Sequence, residues 1–374
     1  MHDTDRDLLP EGLGDRLPTQ ATAAQRVRRE ALDVMARHGY ARVETPMIEF
    51  EKSLASRMAN VSVRRMFRFV DPLSLRTLAL RSDITVQVGR IAATGLSRAP
   101  RPLRLCYGGQ VVTVKGDGLD PVRERLQLGV ELVGTDSVAA AAEIVEVAIE
   151  ALAAAGATGI SVDFTLPDLV DTLSHEALPL AASRVEKVRQ MLDSKDAGGL
   201  VDVGGQAYLP LLYAVGPFDA AIERLAKFDV GGVLASRIAG LREIAARVGG
   251  KARLTLDPSE RHGFEYQSWF GFMIYAENVP GSLGRGGTYR ILDSEGGEGE
   301  AACGFSLYPD KLIDALAADA APKDRLFLPL GHDADAAARL RAVGWTTVAA
   351  LGDGDDALAL GCTHRLDGGS AVAL

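Results

Sequence analysis

Residues 123–134 read RERLQLGVELVG, and this stretch decides how the chain is built. It reads as a β strand on which Arg125, Gln127, Gly129 and Glu131 share one face, because successive side chains of a strand alternate sides. Gln127 and Glu131 then project together, with Gly129 leaving a gap between them. An amide and a carboxylate over a gap suit an ammonium group or a polar amino acid. The competing reading is a solvated strand face on which Glu131 pairs with Arg125.

Immediately upstream, LRLCYGGQVVTV (103–114) is also β-rich, and KGDGLDP (115–121) between the two is turn-rich, so the pair predicts a hairpin with a long tip. Downstream, Thr135, Asp136 or Ser137 caps a strong helix to Ala155, ended by Gly156. Glu143, Glu146 and Glu150 lie on one face of it and Ile144, Val145, Ala148, Ile149 and Leu152 on the other. Towards the N-terminus, apolar spacing predicts a helix over Thr19–His38 with Gly39 as its stop. A strand follows over ARVETP (41–46), then strands over Arg65–Val70 and Leu75–Arg81 split by Asp71-Pro72, and a helix over Ile84–Ala93. Residues 161–250 read mostly as helices. Strands return over Ala252–Leu256, Phe264–Tyr275, Thr288–Leu292 and 302–307, ahead of a helix over Lys311–Ala318. GRGG (284–287) reads as a turn. The tail, Arg325–Leu330, a helix near Ala336–Val343 and Thr346–Leu351, predicts one βαβ-like unit. Segregation of strand-rich from helix-rich blocks favours an α+β fold with an antiparallel sheet over a doubly wound parallel one.

Composition narrows the function class. The chain has 374 residues, 47% hydrophobic and 24% charged, enough for two or three domains. No apolar run reaches the roughly 18 residues of a membrane span, and the acidic start MHDTDRDLLPEG is not expected to be a secretory signal. Cys106, Cys303 and Cys362 are few, odd in number and far apart, which predicts free thiols in a reducing cytoplasm. A net charge of −9 argues against a nucleic-acid binder that relies on Lys and Arg. There is no phosphate loop, and the scattered histidines predict no metal site.

Taken in order, several segments resemble the histidyl-tRNA synthetase-like core of the class II aminoacyl-tRNA synthetases. LLPEG (8–12) is similar to the family's opening segment and HGYARVETPMIE (38–49) to its motif 1, usually a dimer element. LRSDITVQVGR (80–90) resembles its R-x-D-x-T segment, and 123–134 the second strand of motif 2. HGFEYQ (262–267) resembles the histidine-specific R-G-x-x-Y segment, and ACGFSLYPDKL (302–312) motif 3. The resemblance implies a core over 1–320, with a helical insertion at about 165–250, and a truncated anticodon-domain-like tail over 321–374.

The departures bear on activity. The motif 2 arginine that meets the ATP α-phosphate falls on Thr113. The Glu-Arg of motif 3 is Asp310-Lys311, and lysine does not reproduce a planar, stacking guanidinium. The arginine of R-G-x-x-Y falls on His262, with Arg261 adjacent. Losses of this kind cost several kcal/mol each at a phosphoryl transition state. On the amino-acid side the resemblance implies histidine binding by Asp83, Thr85, Gln127, Glu131, His262 and Tyr266. Trp269 is expected to fill part of that pocket.

A retained amino-acid pocket beside a damaged ATP half resembles the regulatory subunits of ATP phosphoribosyltransferase. That resemblance implies a non-catalytic, cytoplasmic chain with no cofactor or metal and no catalytic residue. It implies a short-form catalytic partner in a hetero-octamer, self-association through motif 1, histidine as feedback effector in the first step of histidine biosynthesis, and neither tRNA nor membrane as partner. An active histidyl-tRNA synthetase and another synthetase-like amino-acid-binding paralogue are the alternatives.

Overall fold

The strands Leu103–Val112 and Glu124–Val133 pair antiparallel, Leu103 opposite Val133 and Val112 opposite Glu124. A computed structural model of the chain describes residues 9–55, 65–116, 120–261, 267–292, 299–319 and 323–374. In it this hairpin is the base of a nine-stranded sheet. Beyond Glu124–Val133 follow Glu300–Leu307, Gly284–Ile291, Gln267–Tyr275, Ser161–Thr165, Arg253–Leu256 and Gly216–Pro217, while Ala41–Arg42 lies outside Leu103–Val112. Neighbours run antiparallel except Ala41–Arg42 against Leu103–Val112 and Ser161–Thr165 against Arg253–Leu256. The α+β class with an antiparallel sheet is therefore the observed one.

Alternation along Glu124–Val133 divides the molecule. Leu126, Leu128, Val130 and Leu132 enter the main core with Cys303 and Phe305, under the helices Pro18–Arg37 and Val138–Ala155. Val27, Ala31 and Met35 face inward from the first helix, and Ala141, Ile144, Val145, Ala148 and Leu152 from the second. The second helix is Ala-rich, which favours helix and allows close approach to the sheet. Ser137 Oγ accepts from the Ala140 N–H at 3.3 Å, and Gly156, at φ 107°, ends the helix. Its glutamates point outward: Glu143 takes both Nε and Nη2 of Arg104 at 2.8 Å, and Glu150 meets His38 at 2.7 Å.

On the opposite face the helix Thr85–Ala93 packs Val86 and Ala92 against Val133, Tyr289, Ile291 and Ala302, and a separate small sheet runs in the order Ile48–Phe50, Thr77–Leu80, Arg68–Val70. Helices from Leu169–Glu176 to Ala235–Val248 occupy most of 161–250. No helix of the described residues is long and apolar enough to cross a membrane.

Four expectations change. GRGG is not a turn: Gly284–Ile291 is an inner strand. A Cβ at Gly286 would lie 2.5 Å from Gly304 O and 2.6 Å from the Phe272 ring. The glycines there serve close approach of strands and rings. Ser161–Thr165 is a strand inside the sheet, where the helix-rich surroundings pointed to helix. ARVETP is strand only at Ala41–Arg42, where two residues pair with Leu105 and Cys106. The tail holds more than one βαβ unit.

From Asp319 the chain forms a separate compact unit. Its sheet runs Thr346–Ala349, Arg325–Leu328, His364–Asp367, Ser370–Ala373, the last two a hairpin turning at Gly368-Gly369. The helix Ala334–Ala342 starts at Asp333, whose Oδ1 accepts from the N–H of Asp335 and Ala336 at 2.9 and 3.1 Å. Leu326, Leu328, Ala336, Ala337 and Leu366 form its core.

Candidate functional site

Gln127 and Glu131 point away from the helix-covered core, yet both are almost fully buried, at 0% and 1% exposure. The solvated-face reading fails: Arg125 pairs with Asp120 at 3.2 Å, not with Glu131. The gap above Gly129 is occupied. Tyr107 stands opposite Gly129 in the hairpin, and a Cβ on that glycine would lie 2.4 Å from the phenol oxygen.

The result is one buried polar cluster. Gln127 Nε2 donates to Asp83 Oδ1 at 2.7 Å and to Ser306 Oγ at 2.8 Å, and its Oε1 accepts the Ile84 N–H at 2.8 Å. Glu131 accepts from Tyr107 at 3.0 Å on Oε1 and from Tyr289 at 2.5 Å on Oε2. Thr85 Oγ1 meets Tyr107 Oη at 2.9 Å, and Ser306 Oγ meets the same phenol at 3.1 Å. Asp83 Oδ1 also accepts the N–H of Thr85, the first residue of the Thr85–Ala93 helix, at 2.9 Å. A buried polar group without a partner costs about 1–3 kcal/mol, and here each carboxylate oxygen of Glu131 has one.

Burial raises the Glu131 carboxyl to about 8, with nearby Asp83 acting in the same direction and the hydrogen bonds opposing. At neutral pH the group therefore largely keeps its proton and can donate as well as accept. Burial and the Glu131 and Asp83 charges push the Tyr107 phenol well above its usual range, so it stays a donor.

Asp83, Thr85, Gln127 and Glu131 are thus brought together from two segments. His262 and Tyr266 lie outside the described residues. Tyr107, Tyr289 and Ser306 complete the cluster and were missed in the sequence. Gly129 opposite an aromatic in a predicted hairpin was the available signal for Tyr107. Trp269 does not enter this site: its Nε1 donates to Asp136 O at 3.0 Å, and its ring lies against Gly240 on the helix-covered face.

The positions matching the phosphate side differ in character. Thr113 Oγ1 donates to the Lys115 carbonyl at 2.7 Å. Lys311 Nζ lies 3.6 Å from Asp120 Oδ2, the carboxylate that also pairs with Arg125. Asp310 accepts the Leu126 N–H at 3.2 Å and pairs with Arg16. No guanidinium stands at position 113 or 311. Among the described residues no group of His, Cys, Asp and Glu could hold a metal ion, and the three cysteines are buried and free.

Residues 12–312 match the family described as Histidyl-tRNA synthetase. At 43% identity the chain is similar to the ATP phosphoribosyltransferase regulatory subunit of Rhodospirillum centenum, covering 97% of this chain and 95% of that one. The chain belongs to the ATP phosphoribosyltransferase regulatory subunit family. The Rhodospirillum rubrum relative of the same description is 39% identical, covering 97% and 96%. Among solved structures, the ATP phosphoribosyltransferase regulatory subunit/histidyl-tRNA synthetase of Bacillus halodurans superposes with a TM-score of 0.82 at 24% identity, covering 95% and 96%. The histidyl-tRNA synthetase of Nostoc superposes with 0.77 at 15% identity, covering 96% and 90%. Membership of this regulatory family and the missing guanidinium groups fit one another, since the latter are what adenylation needs.

Proposed function

We propose that the chain is a non-catalytic regulatory subunit of ATP phosphoribosyltransferase, acting in the cytoplasm at the first step of histidine biosynthesis. A short catalytic subunit condenses ATP with phosphoribosyl pyrophosphate, releasing pyrophosphate, and this chain activates it and transmits feedback by histidine. The observation that carries the reading is the contrast within one site. The Asp83–Gln127–Glu131 cluster keeps the groups that suit an amino acid, while Thr113 and Lys311 put no guanidinium at the two positions that match the synthetase's phosphate-binding arginines.

In this reading histidine binds by competing with protein phenols. Tyr107 and Tyr289 hold Glu131, so the imidazole must take over one of those positions. A neutral Glu131 carboxyl can donate to one ring nitrogen, and an ionised one accepts from the other. Regulation requires histidine to prefer one arrangement of the assembly by the free energy it transmits. The motif 1 segment, 38–49, provides self-association, a hetero-octamer is the assembly, and His262 and Tyr266 are further histidine contacts. The 1–320 segment serves as the synthetase-like core with its insertion at about 165–250, and 321–374 as a reduced tail that does not bind tRNA.

Pyrophosphate exchange dependent on histidine and ATP tests the non-catalytic part. The purified chain is expected to show none above background. Exchange at synthetase-like rates would instead favour an active ligase.

A further inference from the structure

The sheet sets the residues around the Glu131 cluster in rows that run across neighbouring strands. In one row Tyr107, Gly129, Ser306 and Arg285 stand opposite one another in turn. The next row is Glu131, Gly304, Gly287 and Gly271. No side chain rises from these three glycines, and Glu131 leans over the first, where a Cβ would collide with its Oε2. Arg285 and Tyr289 flank Gly287 on one face of Gly284–Ile291, because alternate residues of a strand share a side. Tyr289 borders the glycine row on one side and closes on Glu131. Arg285 borders it on the other side, opposite Ser306.

The half-buried Arg285 therefore brings a cation to the corner where Asp83 brings an anion. Gln127 Nε2 donates to Ser306 Oγ at 2.8 Å and to Asp83 Oδ1 at 2.7 Å, which sets the Asp83 carboxylate beside the serine that Arg285 faces. Tyr308 feels both charges. The Arg285 Cζ lies 6.0 Å from its ring centroid. Burial pushes its phenol up to about 12, with the Asp83 charge acting in the same direction and Arg285 opposing. Glu131 lies two strands across and two residues along from Arg285, ~12 Å between α-carbons at standard strand spacing and rise. One ligand can thus touch both ends. Other guanidinium groups nearby are engaged elsewhere: Arg125 pairs with Asp120 at 3.2 Å, and Arg81 donates to Gln110 O at 2.7 Å and to Thr45 O at 2.9 Å.

We propose that Arg285 binds the α-carboxylate of the amino acid held at this cluster, while Asp83 takes its ammonium group and Glu131 its side chain. The inference rests on the histidine-binding reading above and names the residue that makes the site select a free α-amino acid. A carboxylate and a guanidinium at one corner complement the two charges of a zwitterion, and the planar guanidinium offers parallel N–H donors that match a carboxylate. The glycine row supplies a floor on which the ligand's ring reaches Glu131.

The test is calorimetric titration of the full chain with L-histidine and, separately, L-histidinol, which keeps the ring and the amine but carries a hydroxymethyl group in place of the carboxylate. The wild type should bind histidine at least about tenfold more tightly than histidinol, the worth of one charge-assisted contact. In Arg285→Gln histidine should weaken by that factor while histidinol is unaffected, so the preference vanishes. Arg285→Lys should keep part of it, since the charge stays and the paired donors go. A preference that survives in Arg285→Gln overturns the proposal, as does equal affinity of the wild type for the two ligands. An equal loss for both ligands in Arg285→Gln and Arg285→Lys also overturns it and makes the residue structural. A wild type that binds neither ligand overturns the histidine-binding reading itself, and the proposal with it.

Discussion

Tyr107 and Gly129 face each other across the central hairpin, and the phenol fills the space that any side chain at 129 would take. A Cβ there would also lie 2.4 Å from Phe305 O, so neither neighbour can yield cheaply. Gly129→Ala should displace Tyr107 from Glu131 and destabilise the chain by about 1–3 kcal/mol, the usual range for overpacking. Urea unfolding gives the number, and an unchanged midpoint would mean the phenol is not held there.

Glu131 should give the fold a distinctive pH dependence. Burial raises its folded carboxyl to about 8 from an ordinary value of 4.5. Between those values the native state holds a proton that the unfolded chain has released. Stability from this group is therefore full below the lower value and falls as pH rises towards the upper one, by up to about 1.4 kcal/mol per pH unit. Urea midpoints across that window should decline in wild type and flatten in Glu131→Gln. Parallel curves for the two proteins would assign the decline to other groups.

The competition between phenols and ligand predicts opposite effects at neighbouring positions. Tyr107→Phe removes the donor on Glu131 Oε1 and should tighten histidine binding several-fold, the worth of one net hydrogen bond. Glu131→Gln should weaken it. Isothermal titration with histidine measures both, and unchanged affinity in Glu131→Gln would remove that residue from the site.

Ser137 supplies the side-chain cap of the Val138–Ala155 helix. Ser137→Ala should cost about 1 kcal/mol, and Ser137→Asp should restore most of it, both read from thermal or urea unfolding.

Much of the fold was legible because its signals are local. The Leu103–Val112 and Glu124–Val133 hairpin and the helices Pro18–Arg37 and Val138–Ala155 follow from periodicity and from Gly39 and Gly156 as stops. What escaped depends on neighbours remote in sequence. Gly284–Ile291 looks like a turn until Phe272 and Gly304 are known to press against it. Ser161–Thr165 is too short to show a period, and its strand state comes from pairing with Gln267–Tyr275 and Arg253–Leu256. The hairpin of His364–Asp367 and Ser370–Ala373 has four-residue strands around two glycines and escaped for the same reason. At the site, the Gln127–Glu131 pair and Asp83 could be read from spacing and resemblance. Their closure by Tyr107, Tyr289 and Ser306 could not, since it rests on three strands meeting on one face.

The central claim is that this chain regulates a catalytic partner rather than catalysing. The most direct measurement is the phosphoribosyltransferase rate of a short catalytic subunit with and without this chain, and then with added histidine. The account predicts a rate that rises on mixing and falls again with histidine. A rate indifferent to the presence of this chain would contradict it.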